Sequence, residues 1–165
     1  MSLVADRGEV LILGAGLVGP VTAMLLAQRG YRVPVVDRRP DPATAEPERG
    51  RSVHLVLSER GWRTLRLLGL ESRLRSIGMP LKGRHIHLWQ GDRLSQPYAS
   101  DGSTIFCVDR TLLHETLVAA ARERPGVHFE WGLRCRWVDL EGQRVGFVPE
   151  GPDARSTASS DALWR

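Results

Sequence analysis

Cysteine is scarce. The 165-residue chain has two, Cys107 and Cys135. Two are too few for a disulfide scaffold, and their spacing matches no metal-ligand pattern. No apolar run approaches the ~20 residues of a membrane-spanning helix. The first nine residues carry Asp6, Arg7 and Glu9, so no secretion signal is expected there. A reducing cytoplasm is therefore the expected compartment. Internal repeats are missing, as are zinc-finger, RNP-type and helix-turn-helix signatures. The net charge is +4 with a pI near 9.8, but the basic residues are mostly arginines scattered along the whole chain. That pattern suits a surface that favours small anionic ligands, without nucleic acid as a partner. What remains is an ordinary globular composition, 42% hydrophobic and 25% charged, at the length of one domain.

Hydrophobic patterning gives an α/β reading. Glu9 to Leu13 is a short apolar run, as in a parallel strand buried on both faces. The turn Gly14-Ala15-Gly16-Leu17-Val18-Gly19 follows at once. A helix is expected from Leu17 to Arg29, with Leu17, Val21, Met24 and Leu25 on its inner side and Gly30 as its stop. Tyr31 to Val36 reads as a second strand ending at Asp37. Pro34 lies inside it, so imperfect pairing is expected there. Arg38 to Gly50 reads as an exposed loop.

Further along, Ser58 is placed to cap a helix reaching Leu68, with Trp62, Leu65 and Leu68 inward. A short helix is expected over Leu70 to Ile77. Arg84 to Trp89 and Thr104 to Val108 read as strands. Asp109 is placed to cap a helix from Arg110 to Arg122, and Pro125-Gly126 breaks it. Val127 to Trp131 reads as a sheet strand. Arg134 to Leu140 and Arg144 to Val148 read as a hairpin. Beyond Pro149 the chain turns small and polar, and 151–165 is expected to be a disordered tail.

The glycine cluster carries the first chemical signal. It follows a strand, opens a helix, and has an acid at the end of the next strand, with Asp37 standing 18 residues after Gly19. Gly14 permits a tight turn, Gly16 lets a pyrophosphate approach the backbone, and Gly19 lets helix and strand pack closely. The helix N-terminus offers N–H groups to phosphates. A carboxylate at position 37 can accept both ribose hydroxyls, which disfavours a 2′-phosphorylated ribose. These residues alone leave FAD and NAD both open. His85 and His87 share one strand face, but no third ligand lies near them, so no metal site is expected.

A longer stretch is more specific. Arg49-Gly50-Arg51-Ser52-Val53-His54-Leu55-Val56-Leu57-Ser58-Glu59-Arg60-Gly61, with Met79-Pro80-Leu81-Lys82-Gly83-Arg84 and Gln96-Pro97-Tyr98, resembles the flavin-dependent aromatic hydroxylases. The resemblance covers about residues 9 to 140. It implies a Rossmann-like FAD-binding domain, incomplete, with part of the substrate-side sheet. It implies FAD as cofactor, NADPH as co-substrate, O2 as oxidant and an aromatic amino-acid-type substrate bearing a carboxylate. By the same resemblance Gly14, Gly16, Leu17, Val18, Gly19, Asp37, Arg38 and Arg39 would lie along the adenosine and pyrophosphate of FAD. Arg51, Val56 and Arg110 would lie near the cofactor, and Cys135 beside the adenine. Arg84 and Tyr98 would hold the substrate carboxylate. The sequence departs from the family with Asp37 for Glu, His54 for Asn, Ala99 for Gly and Asp109 for Ser.

Family members are much longer. Their later Gly-Asp motif, substrate sheet and C-terminal helices find no match in this sequence, so the chain reads as an N-terminal fragment forming one truncated FAD-binding domain over 1–165. Little or no hydroxylase activity is expected from it alone. The alternative reading is a non-catalytic dinucleotide-binding module, or one supplemented by a second chain.

Overall fold

A computed structural model of the chain describes residues 7–45, 53–98 and 104–150. Arg51 and the expected tail at 151–165 lie outside the described residues. The chain divides into two compact units, one drawn from the segments 1–49 and 117–165, the other from 50–116.

The first unit opens with the expected strand, turn, helix and strand: β1 (Ile12–Leu13), α1 (Val18–Ala27) and β2 (Val33–Asp37). The third strand of this sheet is β8 (Val127–Trp131), and the order is β1-β2-β8, all parallel. β2 is central and buried at all five residues. β1 is shorter and more open than the patterning suggests. Leu13 is 45% exposed, and β1 lies at the sheet edge among the described residues.

Pro34 accounts for part of this. Arg32 and Val36 accept from Val10 and Gly14 on the β1 side, whereas Val33 donates to Gly126 on the β8 side. Strand alternation therefore points the Pro34 nitrogen, which has no hydrogen to donate, at β1. The β1 ladder breaks there into an isolated Glu9↔Arg32 bridge and the Ile12↔Val35 pair. On the β8 side the register runs unbroken through Pro34↔His128. The expected imperfection is thus real on one side of the strand only.

The inner face of α1 also differs from expectation. Gly19, Pro20, Ala23 and Met24 are buried, while Leu17, Val21 and Leu25 are half-buried. Met24 is inward as expected, and Gly19, Pro20 and Ala23 join it where the helix runs close to the sheet. The hairpin β9 (Leu133–Asp139) and β10 (Arg144–Pro149) completes the unit. Its register slips by one residue between Gly146 and Phe147, so Phe147 faces Cys135.

The second unit holds β3 (His54–Leu57), α2 (Glu59–Leu67), α3 (Glu71–Arg75), β4 (Met79–Leu81), β5 (Gly83–His87), β6 (Arg93–Pro97) and β7 (Ile105–Asp109). The helices match the patterning, with Trp62, Leu65, Leu68 and Leu74 buried. Ser58 stands at the α2 cap position but makes no side-chain cap bond. Strands β3, β4 and β6 carry no alternation strong enough to announce them. β7 gathers β3 and β4 on its two sides, and β5 pairs with β6 as a separate exposed ribbon. Phe106 meets Trp62 edge-on at 5.2 Å, and the Arg75 guanidinium lies over both rings.

Helix α4 (Arg110–Arg122) starts where the sequence places it. Asp109 Oδ1 accepts from the Thr111 and Leu112 N–H groups at 2.8 and 3.0 Å. Asp109→Ala is expected to cost about 1 kcal/mol, a drop of about 2–4 °C in melting temperature. An unchanged thermal melt would show that the cap is idle.

Candidate functional site

The turn between β1 and α1 is built by close approach. Gly14 has φ +104°, which L side chains rarely adopt, and its N–H donates to Val36 at 2.8 Å. A Cβ on Gly19 would collide with the Gly14 carbonyl oxygen, so only glycine lets α1 come this near. Gly16 is the reverse case. A Cβ there would meet nothing within 4 Å, so the space before its backbone is open to an incoming group. Leu17, at the cap position of α1, supplies no side-chain acceptor. The first-turn N–H groups and the positive end of the helix dipole are thus presented to an anion.

Asp37 ends β2 and is 7% exposed. Its Oδ2 accepts from Ala15 N–H at 2.7 Å and Arg39 Nη2 at 2.9 Å. Its Oδ1 accepts from the backbone N–H and the Nε of Arg39, both at 2.9 Å. Burial alone pushes the carboxyl's pKa up. The Arg39 side chain and backbone, with Ala15, outweigh it and hold the pKa below the ordinary value. Asp37 is therefore a carboxylate at neutral pH.

Gly14, Gly16, Asp37, Arg38 and Arg39 share a cavity of about 540 Å³ with Arg134, Cys135 and Phe147 of the β9–β10 hairpin. That size suits a small-molecule site. Open backbone at Gly16, an uncapped helix start and a buried carboxylate at the strand end fit a dinucleotide. Arg134 and Phe147 were not legible as lining residues. Arg134 pairs with Glu150 at 2.9 Å, and only the hairpin register brings either residue to the cavity.

The other sequence-derived residues are placed by their own elements. Gly19 is buried in packing, and Val18 is 75% exposed at the start of α1. Leu17 is half-buried beside it. Val56 stands exposed on β3, and Arg110 begins α4 with its N–H donating to Val53 at 2.9 Å. Arg84 and Tyr98 share one face of the β5–β6 ribbon. Arg84 pairs in register with Gln96, and its Nε and Nη2 donate to Gln96 Oε1 at 2.9 and 2.7 Å. Tyr98 follows two residues later, its N–H donating to Lys82 at 3.1 Å. No cluster of three metal-ligating side chains is present among the described residues, and no helix there is long and apolar enough to cross a membrane.

Residues 7–158 match the model of a family described as an FAD binding domain. The chain belongs to this FAD-binding family. As an FAD-binding domain it is similar to the kynurenine 3-monooxygenase of Sus scrofa, with 36% identity over 134 residues, 79% of this chain and 28% of that protein. The kynurenine 3-monooxygenase of Myxococcus xanthus (strain DK1622) is 38% identical over 174 aligned positions, 96% of this chain and 38% of that protein. The chain thus spans about a third of the length of the curated relatives it matches.

Among solved structures, p-nitrophenol 4-monooxygenase PnpA from Pseudomonas putida DLL-E4 superposes with a TM-score of 0.69 at 18% identity, over 88% of this chain and 38% of that one. The tetrameric form of 2-methyl-3-hydroxypyridine-5-carboxylic acid oxygenase gives 0.70 at 21% identity, over 86% and 35%. At these identities the likeness is one of fold. The FAD-binding α/β fold and the resemblance to flavin-dependent aromatic hydroxylases are both borne out.

Proposed function

We propose that the chain is the FAD-binding part of a flavin-dependent monooxygenase that hydroxylates an aromatic, carboxylate-bearing substrate of the kynurenine type, with NADPH and O2. The meeting of the glycine turn and the buried Asp37 carboxylate in one cavity carries the reading. The relatives' names supply the substrate class. When bound, FAD would supply the redox chemistry of the reaction.

The chain's own residues bind and orient. The Gly16 backbone and the first turn of α1 take the pyrophosphate. Asp37 takes the ribose hydroxyls. Cys135 and Phe147 give the cavity an apolar wall for the adenine, with Arg38 at its rim. Arg51, Val56 and Arg110 are assigned to the cofactor by family resemblance. Arg84 and Tyr98 are assigned to the substrate carboxylate. The structure supports the last assignment chemically. Among the described residues Arg84 meets a neutral amide oxygen and no carboxylate, which suits its charge to an anion, whereas Arg66, Arg75 and Arg144 each face a carboxylate. Tyr98 adds a hydroxyl donor on the same face.

The test is direct. Purified chain incubated with FAD and passed through gel filtration should elute with the flavin's visible absorption. A folded protein that elutes colourless would sink the reading.

A further inference from the structure

We infer that the Arg39 side chain occupies the two acceptor positions on Asp37 that a ribose diol needs, making Arg39 an internal competitor that sets the affinity of the dinucleotide site. The inference rests on the reading of Asp37 as the ribose acceptor.

A carboxylate offers about four acceptor sites, two on each oxygen. On Asp37 all are taken. Oδ1 holds the Arg39 backbone N–H and Nε, while Oδ2 holds the Ala15 N–H and Arg39 Nη2. No position remains for a hydroxyl.

The four donors are not equivalent. Ala15 is fully buried in the glycine turn, so its N–H is fixed. The Arg39 backbone is fixed too, because its carbonyl accepts from Gly132 N–H at 3.0 Å. The guanidinium belongs to a side chain that is 45% exposed. It can leave by side-chain rotation, with no change in the strand. Its departure opens one acceptor on each oxygen, which is what two adjacent hydroxyls require. A diol that binds Asp37 must therefore break the Arg39 fork. A ligand without the diol gains nothing by breaking it.

The test compares the unaltered chain with Arg39→Ala by calorimetric titration with FAD, ADP and 2′,3′-dideoxy-ADP. Arg39→Ala should bind FAD and ADP about two- to fivefold more tightly, the return of a partly exposed ion pair. Affinity for the dideoxy compound should not change. Arg39→Lys keeps the charge but loses the fork, and should fall between. Equal or weaker ADP binding by a folded Arg39→Ala overturns the inference, as does the same gain for the dideoxy compound.

A second readout needs no alanine variant. The Arg39 Nε–H resonance in the unaltered chain, assigned by its absence from Arg39→Lys, should be protected from exchange and lose protection when ADP is added. An Nε–H that exchanges freely from the start, or stays protected at saturating ADP, overturns the inference. If the unaltered chain binds FAD and Arg39→Ala gains nothing, the competitor falls and the FAD reading stands. If neither binds FAD or ADP, both fall.

Discussion

Replacing Asp37 by alanine should lower the stability of the first unit by about 3 kcal/mol and weaken dinucleotide binding about 100-fold. The stability loss comes from the donors left behind. Ala15 is fully buried, and its N–H would lose its acceptor at 2.7 Å. The Arg39 backbone N–H would lose its own, while the half-exposed guanidinium can turn to water. For a chain of this size the loss is a fall of about 6–12 °C in melting temperature. The binding loss comes from two charge-assisted hydrogen bonds to ribose.

Asp37→Asn separates charge from shape. The folded pKa of Asp37 is lowered, so its ionic contribution is complete above the unfolded carboxyl's pKa and is lost as pH falls through the folded value. The gap in melting temperature between the unaltered chain and Asp37→Asn should therefore close on acidification. A gap that stays constant down to low pH would show that the carboxylate's charge does not matter.

The second large effect sets two glycines against each other. Gly19→Ala would drive a Cβ into the Gly14 carbonyl oxygen, a backbone atom that cannot swing aside. Either α1 moves off the sheet or the Gly14 turn opens, at about 3 kcal/mol or more. Gly16→Ala should behave in the opposite way. Its Cβ meets nothing within 4 Å, so the melting temperature should barely move while FAD binding is lost. Thermal melts and flavin retention on the same two variants check both halves. A Gly19→Ala chain as stable as the parent would refute the close approach. A Gly16→Ala chain that holds FAD would show that the pyrophosphate does not pass there.

Much of this was legible because it is local. The βαβ opening, the Asp109 cap, the Gly30 stop and the inward Trp62, Leu65 and Leu68 depend on neighbours within one or two turns. The spacing from Gly14 to Asp37 carries the dinucleotide fingerprint for the same reason: turn, helix and strand are contiguous. Strands β3, β4 and β6 were not legible, since short and largely exposed strands have little alternation for a partner to impose. On α1 Met24 is buried as the patterning expects, but Leu17, Val21 and Leu25 are only half-buried, because hydrophobicity ranks large residues inward where the close approach to the sheet is made by Gly19, Pro20 and Ala23.

By itself, then, the sequence determined the order of elements, the glycine turn and the identity of the acid. Three things were left to the tertiary structure. The direction of the Pro34 nitrogen decided which neighbour lost its ladder. A one-residue slip between Gly146 and Phe147 set Phe147 opposite Cys135 at the cavity. The return of the Arg39 guanidinium onto Asp37 filled the acceptor that the fingerprint reserves for ribose. Each depends on groups that meet through space, or on a register set by a bulge. Local propensity carries no information about either, because the competing arrangements share the same residues and differ only in which partner lies across from them.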